Sequence, residues 1–357
     1  MTSLRDVVAI GGSYGSSAVL RRLLGGLPAD FPAAVLIATH VPGNSPGYLA
    51  EALTGHSRLP VRQAVDGQPI QPGQVIVAAP DRHLLAVDGA VLLGTGPREN
   101  MARPAIDPLF RSVALAYGPR AIGLVLTGLL NDGASGLHAI KALGGTALVQ
   151  HPLDAEADEM PRAALEAVEA DAVGRAEDLA GMLVAVAGTP VLPPGLAPGP
   201  TSGPTSGSTS GPTSGLEPDL ELEVAIAAGR RLGSDQLRRL ANPAPLSCPH
   251  CHGVLSEMKG GGPLRYRCQI GHAFTAEAVI ASQEAGVSDA LRIAMRMMEE
   301  RVELVTRMAK EARESGRSAV AELYEARAVE YAGYAATLRR AATTDLRSSR
   351  PTGPPEA

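Results

Sequence analysis

Gly11-Gly12-Ser13-Tyr14-Gly15 is a G-x-S-x-G pattern placed between the apolar run Val7-Val8-Ala9-Ile10 and the helix-like stretch Ala18–Leu24. In a strand-to-helix turn of this kind the serine hydroxyl stands clear of the backbone. Small neighbours leave space for a substrate carbonyl and for amides that hold an oxyanion. Ser13 is the candidate nucleophile on that ground. Glycines after a first strand also cradle phosphates, or simply make a tight turn, so the pattern by itself leaves three readings open.

A serine nucleophile needs a base, and in a layered α/β fold a base is well placed at the carboxyl end of a neighbouring strand. His40 directly follows the apolar run Ala34–Thr39 and meets that requirement. His56, His83, His138 and His151 are its competitors; His138 falls inside a helix-like stretch and His83 opens a strand-like one, so neither follows a buried strand directly, and a lone histidine can also be purely structural. The third partner is a carboxylate that fixes the imidazole tautomer. Asp132 fits, lying past the apolar stretch Ala121–Leu126 and before a helix-like segment. The alternative for Asp132 is a plain cap on the helix beginning near Ser135.

A second constellation lies far downstream. Cys248-Pro249-His250-Cys251 is a C-x-x-C knuckle, and Cys268 with His272 follows as C-x-x-x-H. Three thiolates and one imidazole are enough for a closed tetrahedral Zn²⁺ site. His250 and His252 are alternative ligands, though they lie close to the first knuckle. A redox role for the C-x-x-C would need a thioredoxin-like context, which is absent. Structural zinc is therefore expected, with no cofactor for catalysis.

These residues must be positioned by elements that the sequence also outlines. Strands are expected at Val7–Ile10, Ala34–Thr39, Gln74–Ala78, Ala121–Thr127 and Thr146–Gln150. Helices are expected at Ala18–Leu24, Pro108–Tyr117, Ser135–Leu143 and Pro161–Glu166. Alternation of the two, with continuous apolar runs such as Val35-Leu36-Ile37-Ala38, predicts an α/β catalytic domain over 1–190, with a doubly wound, mostly parallel, Rossmann-like sheet. Aromatics are only 3% of the chain while hydrophobic residues are 45%, so its core rests on small aliphatic side chains.

Repeats of the Pro-Thr-Ser-Gly type mark 191–216 as a disordered linker. A short helical tether is expected over 217–245, a zinc-ribbon-like unit over 246–275, and an α-helical hairpin over 276–343 ahead of a disordered tail, 344–357. Gly260-Gly261-Gly262 is the expected ribbon turn, and Arg265-Tyr266-Arg267 an expected strand. Along the first helix of the hairpin Leu291, Ala294, Met298, Val302, Val305, Ala309 and Ala312 recur at three- and four-residue steps, as in a coiled-coil seam, with Gly316 as the turn. The net charge of −5 argues against general nucleic-acid binding, and Arg265 with Arg267 make only a small basic footprint. No apolar run approaches the roughly 20 residues that span a bilayer, and the N-terminus lacks a signal-peptide pattern, so a cytoplasmic protein without membrane insertion is expected.

The stretch from Val7 to about Gly188 resembles the catalytic domain of the CheB-like chemotaxis protein-glutamate methylesterases. The resemblance is carried, in order, by Ile10–Gly15, Thr39-His40-Val41-Pro42, Asp66-Gly67, Pro72-Gly73, Ala79-Pro80, His83-Leu84, Arg103-Pro104, Asp107-Pro108-Leu109-Phe110, Thr127–Ala134 and Met160-Pro161. It implies a Ser-His-Asp triad at Ser13, His40 and Asp132, with backbone oxyanion donors at Leu129 and Tyr14. It also implies γ-glutamyl methyl esters, or glutamines, of methylated chemoreceptors as substrates. Tyr14, Ser16 and Leu130 depart from the family pattern, with Leu130 standing where glycine is usual. The nucleophile strand begins within ten residues, so no receiver domain is expected ahead of it, nor phosphorylation control in cis. A similar cysteine-containing tail on some relatives implies a protein partner for the C-terminal part. The alternative is a non-enzymatic scaffold that recruits partners through the zinc-containing tail, with a nucleic-acid-linked regulator as a third reading.

Overall fold

The computed structural model describes residues 3–191, 216–231 and 233–343. Apart from Val191 and Leu216, the expected linker lies outside the described residues, as does the expected tail over 344–357. The chain forms two compact units, Met1–Ala278 and Val279–Ala357.

In the first unit β1 (Val7–Gly12) and β2 (Ala34–Thr39) are buried at every residue. That is what continuous aliphatic runs covered on both faces require. They belong to a seven-stranded sheet with β3 (Val61–Gln63), β4 (Val75–Val77), β7 (Ala121–Val125), β8 (Thr146–Gln150) and β9 (Ala172–Gly174). Its order is β3-β4-β2-β1-β7-β8-β9, and every pairing is parallel. A separate antiparallel hairpin is made by β5 (His83–Val87) and β6 (Ala90–Gly94).

Side chains alternate across the sheet with the period of two that a strand imposes. Val8, Ile10, Val35 and Ile37 pack with α1 (Ser16–Gly26), α2 (Leu49–Thr54) and α6 (Leu179–Val186). Val7, Ala9, Leu36 and Ala38 face α3 (Ile106–Tyr117), α4 (Ala134–Ala142) and α5 (Glu159–Ala167). The sheet is therefore doubly wound.

The chain first runs from β1 outward through β2 and returns to the other side of β1 as β7. That reversal opens a crevice at the carboxyl ends of the strands, where sites in such folds lie. Register sharpens the point. The last β1–β2 pair is Gly12 with Thr39, so Ser13 and His40 leave neighbouring strand ends side by side.

The stretch expected as a helical tether over 217–245 differs from expectation. It forms α7 (Leu216–Ala228) and α8 (Ser234–Leu240) and then enters β10 (Ala241–Ser247), so 241–245 are strand rather than helix. Pro243 and Pro245 explain the change, because proline stops a helix and is accepted on an edge strand. Strand β10 is the edge of a four-stranded antiparallel sheet with β11 (Val254–Met258), β12 (Arg265–Cys268) and β13 (Ala273–Thr275). Nor is this stretch loose. Leu220 joins the apolar core beneath α3, and Gly96 N–H donates to Ala227 O at the end of α7 (3.0 Å).

The second unit holds most of α9 (Ala276–Glu314) and all of α10 (Ser318–Thr343), with Gly316 in the left-handed region (φ 74°) between them. Val305, Ala309 and Ala312 of the expected seam are buried, as are Ala321 and Ala335 of α10. Arg313 pairs with Glu325 across the turn (2.6 Å).

Candidate active site

Ser13 sits half-buried in the turn after β1, and its backbone N–H donates to Thr127 O (2.9 Å) at the end of β7. Thr127 secures the same turn from below. Its hydroxyl lies 3.1 Å from Tyr14 O and accepts Ala157 N–H (2.8 Å). Gly15 carries the left-handed φ of 78° that turns the chain into α1. Gly128 is required by close approach, since a Cβ there would lie 2.8 Å from Ser13 Cβ and 2.1 Å from Met160 Sδ.

His40, partly exposed at the end of β2, sets Nε2 2.7 Å from Asp132 Oδ2. Among the described residues no hydrogen bond joins Ser13 to His40; register alone sets them beside each other. In unliganded sites such bonds are often long and tighten on binding.

The remaining histidines are engaged elsewhere. His83 is fully buried, with Nε2 2.9 Å from Pro97 O and Nδ1 accepting Ala105 N–H (3.3 Å). His151 accepts Leu153 N–H at a short turn (3.2 Å), His138 lies on α4, and His56 is exposed after α2.

Asp132 is 1% exposed and does not cap α4. It accepts instead the first amides of α3, Ile106 N–H (2.7 Å) and Asp107 N–H (3.1 Å), together with Asn100 Nδ2 (2.9 Å) and His40. Burial alone would push its carboxyl up. The His40 hydrogen bond and charge, with the Ile106 amide and Asn100, outweigh it and hold the group at about 2. The positive end of the α3 dipole acts in the same direction. Asp107 answers from the other helix, its Oδ1 accepting Gly133 N–H (3.1 Å) and Gly136 N–H (2.7 Å) of α4. Burial first, and then the Asp132 charge, raise Asp107 to about 7.

In the loop before Asp132, Gly128 N–H is committed to Ala157 O (3.0 Å) and Leu130 N–H to Glu159 Oε2 (2.7 Å). Leu129 N–H between them, and Tyr14 N–H after the serine, make no hydrogen bond among the described residues. Leu130 adopts φ 61°, the left-handed conformation that glycine takes freely.

Cys248, Cys251, Cys268 and His272 bring one ligand atom each within 4.8 Å of one another. Cys251 Sγ lies 3.6 Å from Cys268 Sγ, and His272 Nδ1 lies 3.8 Å and 3.4 Å from the sulfurs of Cys248 and Cys268. A tetrahedron with Zn–S bonds of about 2.3 Å has edges of about 3.8 Å, so the set fits that ion. Burial and the neighbouring His250 lower His272 to about 4, which keeps the ring in the neutral, ligating form.

Sequence reasoning missed a buried ionic cluster. Glu99 and Glu223 face Arg111, Arg265 and Arg267, with Arg267 Nη2 3.0 Å from Glu99 and 2.9 Å from Glu223. Arg265 lies 2.8 Å from Glu223, and Arg111 pairs with Glu99. Arg267 is fully buried, and Arg265 is half-buried and ion-paired with Glu223, so neither is a free cation for a nucleic acid. Asn100 was also missed, and nothing in the sequence marks it. Asp107 stood in a quoted motif without a role; an acid in the first turn of a helix was its only signal.

Comparison with known proteins bears on residues 8–183, which match the family profile described as CheB methylesterase. A Moorella thermoacetica protein named protein-glutamate methylesterase/protein-glutamine glutaminase is 41% identical over 187 residues, 51% of this chain and 44% of that protein. An Anaeromyxobacter dehalogenans protein named protein-glutamate methylesterase/protein-glutamine glutaminase 2 is 40% identical over 168 residues, 47% of this chain and 49% of its own. The aligned part spans about half the length of these curated relatives. The crystal structure of the Thermotoga maritima CheB methylesterase catalytic domain is 32% identical, covering 50% of this chain and 97% of its own, with a TM-score of 0.49.

Proposed function

Since residues 8–183 belong to the CheB methylesterase family, we propose that this chain is a protein-glutamate methylesterase-type serine hydrolase, acting on γ-glutamyl methyl esters, and on glutamines, of chemoreceptor-like proteins. The observation that carries this reading is the 2.7 Å His40–Asp132 pair, which lies beside the Ser13 turn at the ends of paired strands.

Ser13 Oγ attacks the ester carbonyl while His40 takes its proton, and Asp132, ionised and buried, stabilises the imidazolium. The oxyanion of the tetrahedral intermediate lies against the N–H groups of Leu129 and Tyr14. His40 then returns the proton as methanol leaves, or ammonia from a glutamine. Water, deprotonated by the same ring, attacks the acyl-enzyme, and His40 returns that proton to Ser13 Oγ as the bond breaks and glutamate is released.

No cofactor enters these steps. The Cys248, Cys251, Cys268 and His272 set holds a structural Zn²⁺ in this reading, a closed site without an open position for chemistry. No described helix is long and apolar enough to cross a membrane. We place the protein in the cytoplasm, where receptor signalling helices lie, and assign the C-terminal part, with its hairpin over 276–343, to a protein partner.

Incubation with a methylated receptor fragment, followed by methanol quantitation, tests the proposal. Release by the wild type and its loss in Ser13→Ala is the expected result. Absence of release, with no labelling of Ser13 by a serine-directed fluorophosphonate, overturns it in favour of a scaffold. Metal analysis and X-ray absorption test the zinc, with one ion per chain and a three-sulfur, one-nitrogen shell expected.

A further inference from the structure

The four-stranded sheet reaches the residues behind the candidate active site through hydrogen bonds that touch both sides of Asp132. Asn100 is 7% exposed, and its side-chain amide and its backbone N–H are all engaged. Its Nδ2 donates to Asp132 Oδ1 (2.9 Å) and Asp107 Oδ2 (3.1 Å), its Oδ1 accepts Thr275 N–H (3.0 Å), and its own N–H donates to Ala273 O (2.8 Å). The last two partners are the two ends of β13. Asn131, the residue before Asp132, is held from the same place, by the Thr275 hydroxyl and by Glu277.

The segment so gripped is not at rest in its backbone. Asn100 and Met101 are consecutive left-handed residues, with φ of 48° and 66°. Such conformations cost of order 1–2 kcal/mol each for ordinary residues and persist where the surroundings impose them. Glu99 supplies the anchorage through its ion pairs with Arg267 of β12 and with Arg111. On the other strand end, Cys268 and His272 bracket the turn that leads into β13, and Cys268 N–H donates to His272 O (3.0 Å). All of β13 lies outside the residues matched by the family profile.

We propose that the Cys/His sheet is a working part of the hydrolase site: β13 sets Asn100 and Asn131, and Asn100 is a positioning residue that holds Asp132 in line with His40. Metal at the Cys248, Cys251, Cys268 and His272 site fixes the turn before β13 and so tightens the catalytic pair, while the mouth of the site, with Tyr14 58% and Leu129 49% exposed, stays open. Control of this kind acts on catalytic rate rather than on access. It rests on the reading of Ser13, His40 and Asp132 given above.

Full-length Asn100→Ala, Thr275→Val and Thr275→Ser are compared with wild type by two readouts. One is ester hydrolysis, separated into kcat and KM. The other is the low-field proton resonance of the His40 Nε2–H···Asp132 hydrogen bond, which needs no turnover. Asn100→Ala and Thr275→Val are expected to lower kcat by about tenfold or more with KM little changed, the scale of lost outer-shell support. Both are expected to broaden the resonance, and Thr275→Ser, which keeps the hydroxyl, to restore both readouts. Chelation of the metal from wild type is expected to reproduce the Thr275→Val result.

Far-UV circular dichroism keeps the comparison to folded protein. A folded Thr275→Val or metal-free protein with wild-type kcat and resonance overturns the proposal. If Thr275→Val does not fold, the metal-free wild type and Asn100→Ala decide. If wild type releases no methanol, the methylesterase reading falls while the resonance alone still decides the positioning role.

Discussion

Asp107 and Asp132 each receive the N-terminal amides of the helix that belongs to the other. Asp132, ahead of α4, accepts from Ile106 and Asp107 of α3, and Asp107 of α3 accepts from Gly133 and Gly136. The exchange locks the two helix starts together and fixes the orientation of the carboxylate that faces His40.

Asp132→Asn keeps the size of the side chain but removes the charge and offers an N–H where two amides and His40 now donate. By analogy with other Ser-His-Asp enzymes, kcat is expected to fall by about 10³–10⁴, with KM changed far less. Steady-state hydrolysis of a methylated receptor fragment measures it, and a loss below about tenfold would detach Asp132 from the chemistry.

The same exchange predicts a pH signature. Asp107, raised to about 7, keeps in the folded state a proton that the unfolded chain releases near its ordinary value of 3.8. Its contribution to stability is fully present below about 4 and is lost as the pH rises toward 7. Asp132, lowered to about 2, has the opposite sign: its contribution is present above about 4 and is lost as the pH falls toward 2. Carboxyl carbon NMR is expected to show Asp107 titrating near neutrality while Asp132 remains ionised through the same range.

Gly128→Ala places a methyl group against Ser13 and Met160 at the distances already given. Thioether flexibility can relieve one clash but not the other, so the nucleophile turn must move. A loss of about 1–3 kcal/mol in stability is expected, together with lower kcat. Pairing it with Met160→Ala is expected to recover stability but not rate. Recovery of both would mean that the Ser13 contact is harmless.

Leu130 occupies a left-handed position that costs a branched residue about 1–2 kcal/mol. Leu130→Ala keeps that cost and loses the side chain, whereas Leu130→Gly relieves it. Thermal melts are expected to rank glycine at or above alanine, with hydrolysis retained in both. The reverse ranking would show that backbone strain at this position is negligible.

Legibility in the sequence followed the physics that was local. Val7–Ile10 and Ala34–Thr39 could be read as strands because doubly covered strands are apolar throughout, and the residues just beyond them then became candidates for chemistry. Asp132 was found by its place after an apolar run, yet its alternative role was assigned to the wrong helix, since a cap on α3 depends on how two helices meet. Asn100 and Glu99 carry no local pattern; the partners that tie them to β13 and β12, Thr275 and Arg267, lie about 170 residues away across a low-complexity stretch. Residues 241–245 fall inside the helical tether expected over 217–245, while Pro243 and Pro245 carry the signal for an edge strand.

The buried cluster of Glu99, Glu223, Arg111, Arg265 and Arg267 also bears on how this protein can be dissected. A Pro-Thr-Ser-Gly stretch invites a cut, and trimming the chain there would yield a fragment that matches the family profile end to end. That fragment would keep Glu99 and Arg111 but lose Glu223, Arg265 and Arg267, and with Leu220 it would lose part of its apolar floor. Composition marks where the backbone is simplest, while cooperativity is set by which charges and side chains are left without partners. For this chain the two boundaries lie more than sixty residues apart by the unit limits, Gly215 against Ala278.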